Sequence, residues 1–79
     1  MESVKMNITF MGEPNEDNEM TAGEIISLNV PISQVEKINK NIDDNDMEAL
    51  DETFSKIVDI NGNIHNLNFE EVYEFEFTM

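Results

Sequence analysis

Val4, Met6, Ile8 and Phe10 occupy alternate positions of the stretch VKMNITFM, residues 4–11. That period of two is the pattern of a strand with one buried and one solvated face. It returns at the far end, where Tyr73, Phe75, Phe77 and Met79 alternate with Glu74, Glu76 and Thr78, and it predicts a terminal strand over about residues 71–78. Between them, GEPNEDNEMTAG (residues 12–23) is rich in Gly, Pro, Asn and acid, which marks a solvated loop. EIISLNV (residues 24–30) then puts Ile26, Leu28 and Val30 on one face and predicts a second strand paired with the first.

After Pro31 the period changes. Ile32, Val35, Ile38 and Ile42 follow helical spacing, Pro31 stands near a helix start, and Ser33 with Glu36 has the spacing of a capping box. A short helix is expected over about residues 33–41, and the run NIDDND interrupts it. Asn45 with Glu48 offers a second capping box, while Met47, Leu50, Phe54 and Ile57 supply the apolar stripe of a second helix. Asp43, Asp44 and Asp46 fall at the positive end of that helix, where the macrodipole tolerates them best.

In IVDINGNIHNLN (residues 57–68), Asn61-Gly62 lies between two β-prone runs and signals a hairpin. A two-residue and a three-residue loop place Val58, Ile60 and Ile64 on different faces, so the register stays open. The expected fold is α+β, in the order ββααββ. It is a small antiparallel sheet with two short helices packed on one face, a single domain over residues 1–79.

With 79 residues and no cysteine, neither a disulfide framework nor a thiolate metal site can staple so small a core. The start, MESVKMNITFM, has no basic region followed by an uninterrupted apolar run, and no stretch approaches membrane-spanning length. A soluble, cytoplasmic protein is expected, with no membrane partner.

Charge alters the picture most. Eighteen Asp and Glu face four Lys and no Arg, for a formal net charge of -14. A folded chain of this length has a radius of gyration of about 12 Å and a diameter of roughly 30 Å. An equal length of duplex DNA carries about 18 charges. Nucleic acid and anionic membranes are therefore repelled, and a basic protein surface is the favoured partner. Eleven Asn and nine Ile suggest AT-rich codons. That bias would also supply Lys, which is scarce, so selection for an acidic surface is the better account.

Catalytic constellations are thin. His65 is the sole histidine and Tyr73 the sole tyrosine, and no Gly-rich phosphate loop follows a strand. Ser27, Ser33 and Ser55 have no histidine at elbow or triad spacing. Eighteen carboxylates make a chance pair certain, so paired carboxylates carry no information about acid–base chemistry. The chain is read as a non-enzyme without cofactor or metal. The stretch from Asp59 to His65 begins like a calcium loop, but position six, which needs Gly, is Ile64. A hairpin turn at Asn61-Gly62, with His65 facing Asp59 across it, explains the same residues.

Three acidic clusters remain as candidate binding residues: Glu13, Glu16, Asp17 and Glu19; then Asp43, Asp44, Asp46, Glu48, Asp51 and Glu52; then Glu70, Glu71, Glu74 and Glu76. A solvated face accounts for any one of them. Solubility, however, asks for a net charge of only about 2–8 in a small domain, and the excess costs stability through self-repulsion. The second cluster is the first choice for partner contacts, because carboxylates fixed on a helix lose less entropy than loop ones. The third is the next choice. Glu74 and Glu76 stand about 6.8 Å apart, too far to copy phosphates spaced by about 3.4 Å on their own.

In size, acidity and lack of arginine, the chain that contains VKMNITFM, DDNDMEALDE and EEVYEFEF resembles the small phage-encoded inhibitors of bacterial defence, among them anti-CRISPR and DNA-mimic anti-restriction proteins. The likeness is one of composition over the whole chain and rests on no single motif. It implies binding to the basic nucleic-acid groove of a nuclease or effector inside a bacterial host cell, in competition with DNA. Two other readings share the sequence: an assembly module that dimerises through a sheet edge, and an immunity protein that neutralises a toxin.

Overall fold

The computed structural model describes residues 3–78. The elements follow as β1 (Ser3–Met11), β2 (Ala22–Pro31), α1 (Ile32–Asp43), α2 (Met47–Phe54), β3 (Ile57–Val58), β4 (Ile64–His65), a 3₁₀ turn (Phe69–Glu71) and β5 (Val72–Thr78). The fold is α+β, as expected, but the order is ββααβββ and not ββααββ. The Asn61-Gly62 hairpin supplies two short strands that pair only with each other, while the main sheet has three antiparallel strands in the order β2-β1-β5. Strands of two residues are too short to extend that sheet.

The alternating pattern of β1 sets the faces. Met6 lies between Leu28 and Phe77, and Ile8 between Ile26 and Phe75, so these apolar rows share one face. Both helices cover that face. Val4, Met6, Ile8 and Val30 of the sheet pack there with Ile38, Leu50, Phe54 and Ile57 in one buried cluster. Phe54 sits at its centre, with the rings of Phe69 and Phe75 edge-on at 4.8 and 5.1 Å. The opposite face, which carries Lys5, Asn7, Thr9, Ser27, Glu74 and Glu76, has no layer over it among the described residues.

The terminal alternation holds for Phe75 and Phe77 and fails at Tyr73. Thr9 pairs with Glu74 but Phe10 pairs with Val72, so β5 carries an extra residue there and Tyr73 is pushed out, 45% exposed. Val72 takes the inward place, since it has no hydroxyl to leave unpaired. Met79, the last member of the pattern, lies outside the described residues.

The helix starts differ from both capping boxes. α1 begins at Ile32 with Pro31 extended at the cap (φ -72°, ψ 157°) and no side-chain cap bond, so Ser33 lies inside the first turn. α2 is capped by Asp46, whose carboxylate accepts from the Ala49 N–H at 3.1 Å. Asn45 instead makes the turn between the helices at φ 53°. Asn tolerates the left-handed region, which leaves the following Asp free to cap. Two apolar stripe positions point outward, Ile42 (46% exposed) and Met47 (57%), while Gln34 and Thr53 are buried in their stead. Thr53 Oγ1 accepts from Asn41 Nδ2 at 2.7 Å. Gln34 Oε1 accepts from the Val58 N–H at 3.2 Å, and its Nε2 is buried without a partner.

The hairpin uses the three-residue loop. Asp59 N–H donates to the Asn63 carbonyl at 3.0 Å, closing Ile60-Asn61-Gly62 with Gly62 at φ 83°. Ile57 then pairs with His65 and Val58 with Ile64. The Ile60 N–H donates to the Asn29 carbonyl at 2.9 Å, which ties the loop to β2. Among the described residues no helix is long and apolar enough to cross a membrane.

Candidate functional site

The candidate carboxylates divide by the elements that hold them. Asp43 ends α1 and Asp44 follows it. The Asp44 carboxylate takes the Lys40 ammonium at 2.8 Å, an exposed i, i+4 pair that raises the Lys40 pKa, first through this hydrogen bond and then through charge. Asp46 is occupied as the cap of α2. Glu52 shares a shallow polar hollow of about 270 Å³ with Lys37, Lys56 and Asn41. Three of the four lysines therefore lie along α1 and just after α2, beside one half of the second cluster.

Glu48 and Asp51 project from the other side of α2. The 3₁₀ turn packs there and brings Glu70 beside them, along a groove of about 530 Å³. Its floor is apolar: Met11 at the end of β1, Met47, Phe69 and Val72. No lysine lines it. The sequence separates these three carboxylates into two clusters, and the fold joins them. Met11 and Met47 are not among the candidate binding residues that the sequence offers. Met47 fits the helical stripe, so nothing in the spacing marks it as exposed. Met11 carries a signal, being apolar on the polar parity of β1, where a bulge ends the regular register.

The rest of the third cluster lies elsewhere. Glu71 is exposed on the 3₁₀ turn. Glu74 and Glu76 stand on the open face of the sheet, opposite Thr9 and Asn7, around a hollow of about 400 Å³ that Ile25 also lines. They are thus on the far side of the sheet from the helices, as period two requires. The first cluster occupies the loop between β1 and β2. There the Asn15 side chain accepts from the Asp17 and Glu19 N–H groups at 3.0 and 2.9 Å and holds the acidic turn in shape.

His65 and Asp59 meet across the hairpin, with Nε2 and Oδ2 2.8 Å apart. Asp59 Oδ1 also accepts from the N–H groups of Asn61 and Asn63, at 2.8 and 3.0 Å. These contacts hold the Asp59 pKa below the ordinary carboxylate value, the His65 hydrogen bond first among them. The calcium-like stretch is therefore a hairpin whose carboxylate is committed to the turn itself. Among the described residues no three His, Asp or Glu side chains converge as a metal site would need. Comparison with models of protein families, with curated proteins and with solved structures finds no match to this chain.

Proposed function

We propose that this protein is a non-enzymatic acidic inhibitor that occupies a basic, nucleic-acid-binding site on a larger protein, of the kind that anti-CRISPR and anti-restriction proteins block. One observation carries the reading. A net charge of -14 lies far beyond what solubility asks, and among the described residues one lysine–carboxylate pair forms, Lys40–Asp44, beside the His65–Asp59 hydrogen bond. Nearly all the negative charge is thus left uncompensated on the surface, where a basic partner gains from it and nucleic acid does not.

The contact face that fits this reading is the side of α2 with Glu48 and Asp51, together with Glu70. The other half of the second cluster is poorer. Asp44 is neutralised, Glu52 sits beside two lysines, and Asp46 is needed by the helix. The test is capture from a low-GC bacterial lysate at about 50 mM and about 500 mM salt, with duplex DNA as competitor. Retention of a nucleic-acid-binding protein that is lost at high salt, displaced by DNA, and weakened by Glu48→Lys with Asp51→Lys supports the proposal. Binding that ignores salt, DNA and both substitutions overturns it.

A second reading, a homodimer through a sheet edge, has one observation in its favour. Asn29 gives its carbonyl to Ile60 and not to β1. By alternation the backbone groups of Ser27 and Ile25 also face away from β1, on an edge strand of ten residues. Two copies would bring a net 28 like charges together, so this dimer should tighten as salt is added and is tested most severely at low salt. Light scattering that finds a dimer at about 20 mM salt would favour it over the inhibitor.

A further inference from the structure

We propose that the groove between α2 and the 3₁₀ turn seats an arginine of the basic partner together with an apolar neighbour of that arginine. The proposal rests on the acidic-inhibitor reading and names the contact that would give it selectivity. A surface that only mimicked phosphates would need carboxylates in an evenly spaced row over a polar ground. Here Glu48, Asp51 and Glu70 come from two elements and rim a floor of methionine, phenylalanine and valine.

Met11 and Met47, 37% and 57% exposed, are two of several large apolar side chains left in water, and these two share one groove with Phe69 and Val72. Both are flexible enough to fit a variable side chain. Arginine matches each part of the groove. Its guanidinium is planar and weakly hydrated, so its faces lie on thioether and aromatic groups while its N–H groups reach carboxylates two at a time. Lysine, a compact and strongly hydrated charge, uses the rim but not the floor. At about 530 Å³ the groove has the size of a small-molecule site and holds a short segment of chain.

The test uses the full chain and two synthetic hexapeptides of equal charge, one alternating Arg with Leu and the other Arg with Ser. A third alternates Lys with Leu. In about 0.3 M NaCl the Arg–Leu peptide is expected to bind about ten-fold tighter than Arg–Ser, the effect of removing ~60 Å² of apolar surface from water. The methyl resonances of Met11 and Met47 should move and that of Met20 should not. Met47→Gln should abolish the preference, and Met20→Gln, in the β1–β2 loop, should keep it.

Equal affinity for Arg–Leu and Arg–Ser with unmoved Met11 and Met47 methyls, but binding that falls with salt, overturns the groove and leaves the acidic-inhibitor reading standing. A Lys–Leu peptide that binds as tightly as Arg–Leu overturns the assignment to arginine. Absence of binding by every peptide at about 20 mM salt overturns the groove and the acidic reading together.

Discussion

The Asp59 carboxylate accepts from two backbone N–H groups and meets His65, all within seven residues of chain. Its ionised form is the one these contacts favour, so its pKa in the folded protein lies below the unfolded value. The contribution to stability is therefore present in full above the ordinary carboxylate pKa of about 4 and is lost as the pH falls below it and through the lower value of the folded protein. Asp59→Asn removes the titration. The difference in melting temperature between the natural protein and this variant should shrink as the pH falls below about 4. A difference that grows as the pH falls below about 4 would refute the argument. Gly62 makes a cleaner case, because a methyl group there meets nothing within 4 Å and only the backbone at φ 83° objects. Gly62→Ala should cost about 1–2 kcal/mol, read as a loss of about 4–8 °C in melting temperature per kcal/mol.

At the scale of elements, the two helix starts give opposite expectations for similar-looking residues. Asp46→Ala removes the one side chain that caps α2 and should cost about 1 kcal/mol. Ser33→Ala should be nearly neutral, because Ser33 caps nothing. Thermal denaturation of the two variants decides the matter, and a Ser33→Ala loss equal to that of Asp46→Ala would count against the cap assignment. The same elements explain what the sequence made legible. Period two identified β1, β2 and the inward Phe75 and Phe77, since a strand with one buried face admits no other parity. Helical spacing predicts α1 and α2, but the cap of α1 lies two residues before Ser33, at Pro31 with no side-chain cap bond, and that of α2 one residue after Asn45, at Asp46. Tyr73 departs from the alternation because a bulge changes parity without changing composition. The groove stayed hidden for a related reason: Glu70 is nineteen positions beyond Asp51, and only the 3₁₀ turn packed on α2 brings them together.

At the scale of the whole molecule, shape changes the weight of the charge. The chain spans 45 × 24 × 20 Å with a radius of gyration of 13.3 Å, longer than the roughly 30 Å globule expected from its length. Duplex DNA 45 Å long carries about 26 charges, so a net charge of -14 gives about half that density. Uniform mimicry of a duplex is thus beyond this protein, whereas local acidic faces with distinct floors are within reach. Those faces still repel one another across a domain only 20–24 Å thick. At about 20 mM salt the screening length is more than 20 Å and at about 0.5 M it is only some 4 Å, so added salt removes most of the repulsion in the folded state. The unfolded chain, being expanded, has less repulsion to lose. Sodium chloride should therefore raise the melting temperature of the free protein steeply below about 0.2 M and then level off. Glu74→Gln with Glu76→Gln, which deletes two charges from the open sheet face and leaves the core untouched, should raise it at low salt and have a smaller effect at high salt. A melting temperature that does not respond to salt would mean that the carboxylates are too well solvated to strain the fold, and the excess charge would then lose its standing as a cost that a binding role must justify.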